Sequence, residues 1–156
     1  EIVTYLGQIS GRELSKKQQK EFLRLMDAVN DLENIGDVIE TTLVELGRRR
    51  IEKGVSISNA TQDVLNGFHE VVTRAVDTAI RSVSEDSLDD ARSVADMKKE
   101  ITTIANSAAI HESKRLVVDE PNRIEAYTIE MDITEKLQRV FYFARRMART
   151  VIKGAT

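Results

Sequence analysis

The chain has 156 residues, 41% hydrophobic and 31% charged, with a net charge of −3 at neutral pH. That is enough for one domain with a sizeable core, while the acidic balance argues against a general nucleic-acid binder and seven aromatics without a Trp argue against base-stacking platforms. The absence of cysteine excludes disulfides, thiolate metal sites and cysteine nucleophiles.

One Pro and seven Gly leave room for long amphipathic helices. No apolar run approaches the ~20 residues of a membrane span, and no signal peptide is visible. The opening EIVTYLGQIS is already amphipathic and has no start Met, as expected of a fragment of something longer. Ile2 to Ile9 reads as a helix end that stops near Gly11. The first long helix starts at the cap candidate Ser15. Its predicted seam is Phe22, Leu25, Val29, Leu32, Gly36, Ile39, Leu43 and Leu46, a strict 3-4 spacing. Arg48, Arg49 and Arg50 suit the negative end of its dipole, and Gly54 closes it.

Ser58 caps a second helix that runs to about Ser84, with Leu65, Phe68, Val72, Ala75, Ala79 and Val83 inward. SVSEDS is a turn rich in cap residues. The third helix carries Ala91, Val94, Met97, Ile101, Ile104 and Ala108 and ends near Val118. VVDEPN breaks the chain, with Pro121 suited to the first helical position. The fourth helix has the stripe Ile124, Tyr127, Met131, Leu137, Phe141, Ala144, Ala148 and Val151. Nothing alternates with period two. The expectation is one all-α domain over residues 1–156, an elongated up-down bundle with antiparallel sequential neighbours.

The stretch DAVNDLENIGDVIE, Asp27 to Glu40, holds five carboxylates and no Lys or Arg. Glu33 and Asp37, at i and i+4, share one helix face, and Asn30 and Glu40 extend that ridge by a turn each way. Such a pair suits a hard divalent or iron-type metal. A hard cation takes about six oxygens, so a second helix would have to contribute. Asp96 and Glu100 are the nearest carboxylates on the third helix. The alternative is a solvated acidic face. Gly36 sits on the predicted seam, where it implies close helix packing or close backbone approach, so that a bulky residue would push a neighbouring helix away.

His69 lies off the apolar stripe. His111 continues the spacing of Ile101, Ile104 and Ala108 and falls at the bundle edge, either hydrogen-bonded there or, with Arg115, touching a partner helix. There is no Glu-x-x-His, no phosphate-cradling Gly loop and no Ser/His/Asp constellation, so the residues make no catalytic case. From Lys136 onward come six basic residues and no acidic ones. Arg139, Arg145, Arg146 and Arg149, with Lys136 and Lys153, offset the helix dipole or form a surface for an acidic partner or an anionic membrane.

DLENIGDVIE resembles the Leu-Glu-x-Ile-Gly-Asp signature of PhoU-like domains. IHESKRL, Ile110 to Leu116, resembles the His-x-x-x-Arg-Leu segment of PhoU-like domains at the cytoplasmic C-terminus of bacterial sodium/phosphate cotransporters. The resemblance covers nearly the whole chain. It implies two similar three-helix bundles, here lacking most of the first helix and all of the last. It further implies a non-enzymatic regulatory domain on the cytoplasmic side of the inner membrane, partnered by the transmembrane transport domain of the same protein. In some family members, acidic pairs from two helices hold metal clusters. At an offset of 105, which also relates Phe22 to Tyr127 and Leu32 to Leu137, the counterparts of Glu33 and Asp37 are Gln138 and Tyr142.

Two other readings stay open, a free-standing PhoU-like adaptor of phosphate signalling and a plain structural bundle without ligand. The acidic first helix and the basic fourth helix are opposite in sign, so two copies are expected to pair them as a homodimer. An apolar strip is expected to remain exposed along the third or fourth helix.

Overall fold

The computed structural model describes residues 14–117 and 121–155, together with Thr4 and Gly7. The predicted helix end at Ile2–Ile9, Thr4 and Gly7 apart, and the end near Val118 lie outside the described residues. Among those residues every regular element is helical and no strand occurs, so the protein is all-α. No described helix is long and apolar enough to cross a membrane.

Helix α1 spans Lys16–Asp37. It starts in a capping box, in which Ser15 accepts from the Gln18 N–H and the Gln18 side chain returns to the Ser15 N–H. A π-helical turn, Val38–Leu43, joins it without interruption to α2, Val44–Glu52. The turn falls in VIETTLV, where Val38, Ile39, Thr41, Thr42 and Val44 are β-branched and poor helix formers. There the Thr41 hydroxyl donates to the Asp37 carbonyl at 2.5 Å, in competition with the helical ladder. At a rise of ~1.5 Å per residue the rod is about 55 Å long. Gly54, with φ +59, ends it as predicted.

Helix α3 spans Asn59–Ser84 and is capped by Ser58. Its predicted stripe is the buried one, with Val83 half-buried. After a turn in which Asp86 takes φ 51, Ser87 caps α4, Leu88–Asp96. The predicted third helix is therefore two helices, because α5, Lys98–Leu116, starts anew after Met97. Arg145 reaches across at this break and donates to the Ala95 carbonyl at 3.1 Å. A side chain inserted into the backbone ladder is an established cause of a helix break. Pro121 precedes the last helix instead of opening it. Asn122, at φ 59, is the N-cap of α6, Arg123–Gly154. Asn tolerates the left-handed region better than other non-glycine residues.

Helix α6 lies at the centre and packs on α1, α3, α4 and α5. Its buried sector is too broad for a single stripe and includes Val140, Phe141, Phe143, Ala144, Met147 and Ala148. In its first half the predicted stripe is displaced. Ile124 and Met131 face solvent, while Arg123, Ala126, Ile129 and Glu130 are buried. Glu125 ties this end to α2 by accepting from Arg49 and Lys53.

The predicted seam of α1 is one residue out of place. Ala28, Asp31, Ile35 and Val38 face the core, whereas Leu32 and Ile39 are 37% and 46% exposed. The observed and predicted stripes meet again at Leu46, because the π turn takes up one residue more than an α turn. Gly36 consequently faces open space, with nothing within 4 Å of an added Cβ, and no helix packs on it. Gly36→Ala should therefore stabilise the fold by about 0.5–1 kcal/mol, the helix-propensity difference alone. Urea denaturation will measure the gain, and a loss would mean that Gly36 is packed.

Candidate functional site

The displacement of the α1 seam creates the main surface feature of the molecule. Leu25, Val29, Leu32 and Ile39 would be core on a regular helix. Here they line a groove between α1 and α3. The two helices each pack along α6 and scarcely touch each other. Val72, Val76, Ile80 and Val83 of α3 form the opposite wall, and Leu137, Val140 and Met147 of α6 form the floor. Two adjoining cavities of about 570 and 830 Å³ make up the groove. The lining of the first reaches Ile35 and Val76 and that of the second Leu32 and Ile80, about one turn away on each helix. Arg24 closes one end, ion-paired with Glu21 and with Asp86 of the α3–α4 turn, both at 2.6 Å.

Glu33, Asp37, Asn30 and Glu40 are all exposed on the outer face of α1. Asp96 and Glu100 belong to α4 and α5, which pack on α6 and α3. Glu100 pairs there with Arg74 at 3.5 Å. Among the described residues no group of three or more His, Asp or Glu assembles into a metal-holding set. The four ridge side chains thus stand exposed on the flank of α1 next to the groove residues Leu32 and Ile39. His69 is exposed and lines the groove, and His111 sits at the edge with Nε2 3.0 Å from the Thr61 hydroxyl. Arg115 is half-buried near the end of α5.

The basic residues of α6 divide. Arg145 is held by Ala95, and Arg146 lies 3.2 Å from buried Asp31 of α1. The acid–base complement between the first and last helices is therefore made within one chain at this point. Burial pushes the Asp31 carboxyl above its usual range; Arg146 opposes that shift and Asp27 adds to it. Arg139 and Arg149 are exposed, and the Arg139 guanidinium lies 5.9 Å from the Phe143 ring centre. The exposed apolar residues of α5 and α6, such as Ile110, Leu116 and Ile124, stand outside the α1–α3 groove.

Sequence reasoning missed a buried polar cluster where α5 meets the first half of α6. Arg123 and Glu130, both buried, form a two-pronged ion pair, with one contact at 3.3 Å. Glu112 is buried beside them and accepts from the Thr134 hydroxyl at 2.9 Å. Among the described residues its second oxygen has no hydrogen-bond partner. Burial raises the Glu112 carboxyl above its usual range, the Thr134 bond and Arg123 counter this, and Glu130 reinforces it. The available signal was the seven-residue spacing of Arg123 and Glu130, two helical turns on one face.

Arg123→Ala should destabilise the fold by about 3–5 kcal/mol, because it leaves the Glu130 charge buried without its partner. Glu112→Gln should act in the other direction at neutral pH. The folded chain binds the Glu112 proton more tightly than the unfolded chain does. Wild-type stability relative to Glu112→Gln therefore falls as pH rises from the ordinary carboxylate range through the raised pKa, and the difference closes below that window. Thermal unfolding of both proteins from pH 4 to pH 8 will check the sign. For the acidic ridge, elemental analysis of protein purified without a His tag should find equal metal content in wild type and Glu33→Gln/Asp37→Asn. A metal lost specifically from the variant would restore the metal reading.

Comparison of the chain with protein-family models, with curated proteins and with solved structures finds no match.

Proposed function

We propose that this chain is a regulatory interaction domain of a sodium-dependent phosphate transporter, working through helix–helix contacts. The observation that carries the reading is the apolar groove between α1 and α3, whose walls include Leu32, Ile39 and Ile80, each exposed by more than a third. Contiguous apolar surface of this kind marks interaction sites. The likeness of DLENIGDVIE and IHESKRL to PhoU-like segments of sodium/phosphate cotransporters supports the assignment to a transporter. On this reading the domain lies on the cytoplasmic side of a bacterial inner membrane and acts on the transmembrane transport domain. Exposed Arg139 and Arg149 suit proximity to anionic lipid. The acidic ridge serves recognition, and the domain catalyses nothing. A free-standing PhoU-like adaptor would use the same groove on a separate partner.

The test is sodium-dependent uptake of radiolabelled phosphate by cells expressing the transporter with this domain intact or carrying Leu32→Glu and Ile39→Glu. Both positions are exposed, so the domain should fold. The reading expects the response of uptake to phosphate supply to be lost while transport itself persists. An unaltered response would overturn it and favour a plain structural bundle.

A further inference from the structure

We propose that the α1–α3 groove receives a basic amphipathic helix of about 20 residues. The inference rests on the reading of this domain as an interaction module, and it adds the chemistry of the partner. Three observations lead to it.

The first is shape. The groove runs along α3 from Gln62 to Ser84. At ~1.5 Å per residue that is about 33 Å, the length of a 20-residue helix. Two antiparallel helices form its walls and a third its floor, the geometry of an unfilled helix position in a bundle. Gly47 lines the groove with free space above it, so a backbone could approach closely there.

The second is that apolar side chains make up most of the walls and the floor, with Gln62, Asn66, His69 and Thr73 along the α3 side and charged residues at the ends. The binding mode is that of an amphipathic helix laying its apolar face into a hydrophobic groove, with anchors at i, i+3, i+4 and i+7.

The third is the sign of the rims. From Leu25 to Gly47, α1 and its continuation carry six carboxylates and no basic side chain. Glu33 and Glu40 each follow a groove residue, Leu32 and Ile39, and so stand about 100° farther round, on the outer lip. On α3, exposed Glu70 and Asp77 follow His69 and Val76 in the same way. The neighbouring cations of α3 are engaged elsewhere, Arg74 with Glu100 and Arg81 with Asp90. Of the cations at the groove ends, Arg24 is paired with Glu21 and Asp86, Arg50 donates to the Val55 carbonyl, and Lys17 stands beside Arg24. An apolar slot between two acidic lips selects a helix with Lys or Arg flanking its apolar face and repels an acidic one.

Three labelled synthetic 20-residue peptides with the same leucine face test this. Their remaining positions are Lys in the first, Gln in the second and Glu in the third. Binding to the intact chain is followed by fluorescence anisotropy at 150 mM salt. The Lys peptide should bind at least tenfold tighter than the Gln peptide, with no binding of the Glu peptide. Ile39→Ala/Ile80→Ala should weaken the Lys peptide at least tenfold. Glu33→Gln/Glu40→Gln/Asp77→Asn should bring it to the affinity of the Gln peptide. Glu135→Gln, outside the groove, should leave it unchanged. Equal affinity of the Lys and Gln peptides, lost in Ile39→Ala/Ile80→Ala, would overturn the charge inference and leave the interaction reading intact. Binding indifferent to Ile39→Ala/Ile80→Ala, or none at all, would overturn both. Sedimentation showing that the chain dimerises and that Ile39→Ala/Ile80→Ala abolishes the dimer would assign the groove to a second copy, against the proposal.

Discussion

The burial of α6 is the constraint on which the rest of the structure depends. All five other described helices pack on it, and along its second half almost every residue that is not charged faces protein. Close approach from several sides at once requires small side chains at the contacts. Ala28, Ala75, Ala79, Ala91, Ala144 and Ala148 supply them, each almost fully buried. Helix axes 8–10 Å apart leave little room for anything larger. Surrounding one helix in this way also explains why several ions of α6 are tied to protein partners. A helix enclosed on several sides cannot turn all of its polar residues to water. Glu130 therefore meets Arg123, Arg146 meets Asp31, and Arg145 takes the Ala95 carbonyl.

Helix α1 is held differently, because α6 is its one extensive neighbour beyond its own continuation. Its flank toward α3 is apolar and unfilled. The π turn at Val38–Leu43 allows this arrangement by changing which residues face α6 above and below it. An unbroken α-helix with the same sequence would present Leu32, Gly36 and Ile39 to the core and turn Asp31 outward. The observed register instead buries Asp31 against Arg146 and places the leucine and isoleucine row in the groove. Burying a carboxylate in an ion pair is seldom a net gain in stability. The compensation lies in the alignment of Ala28, Ile35 and Val38 with the alanine-rich contacts of α6.

The polar cluster at the junction of α5 and α6 belongs to the scaffold. Arg123 begins α6, Glu130 lies two turns on, and Glu112 comes from the last turns of α5, so the cluster ties these helices together at one end of the bundle. At the same end Glu125 secures α2 to α6 through Arg49 and Lys53, and His111 secures α5 to α3 through Thr61. These contacts fix both walls and the floor of the groove independently of anything that occupies it.

The sequence by itself determined the elements. Ser15, Ser58 and Ser87 are caps whose hydroxyls satisfy backbone N–H groups within three residues, and Gly54 ends its helix through a local left-handed turn. These are short-range interactions and can be read from a few neighbouring letters. The inward stripe of α3 was equally legible, because a helix packed mainly on one side obeys a single periodicity. The tertiary structure decided the rest. Which face of α1 is core depends on a π turn and on Arg146 meeting Asp31, and the break after Asp96 coincides with Arg145 arriving from 50 residues away. The central position of α6 made its buried face wider than any stripe. The groove was hidden for the same reason. Its residues were read correctly as one apolar row, but periodicity does not say whether such a row meets another helix of the chain or none, since that is settled only when all the helices have packed.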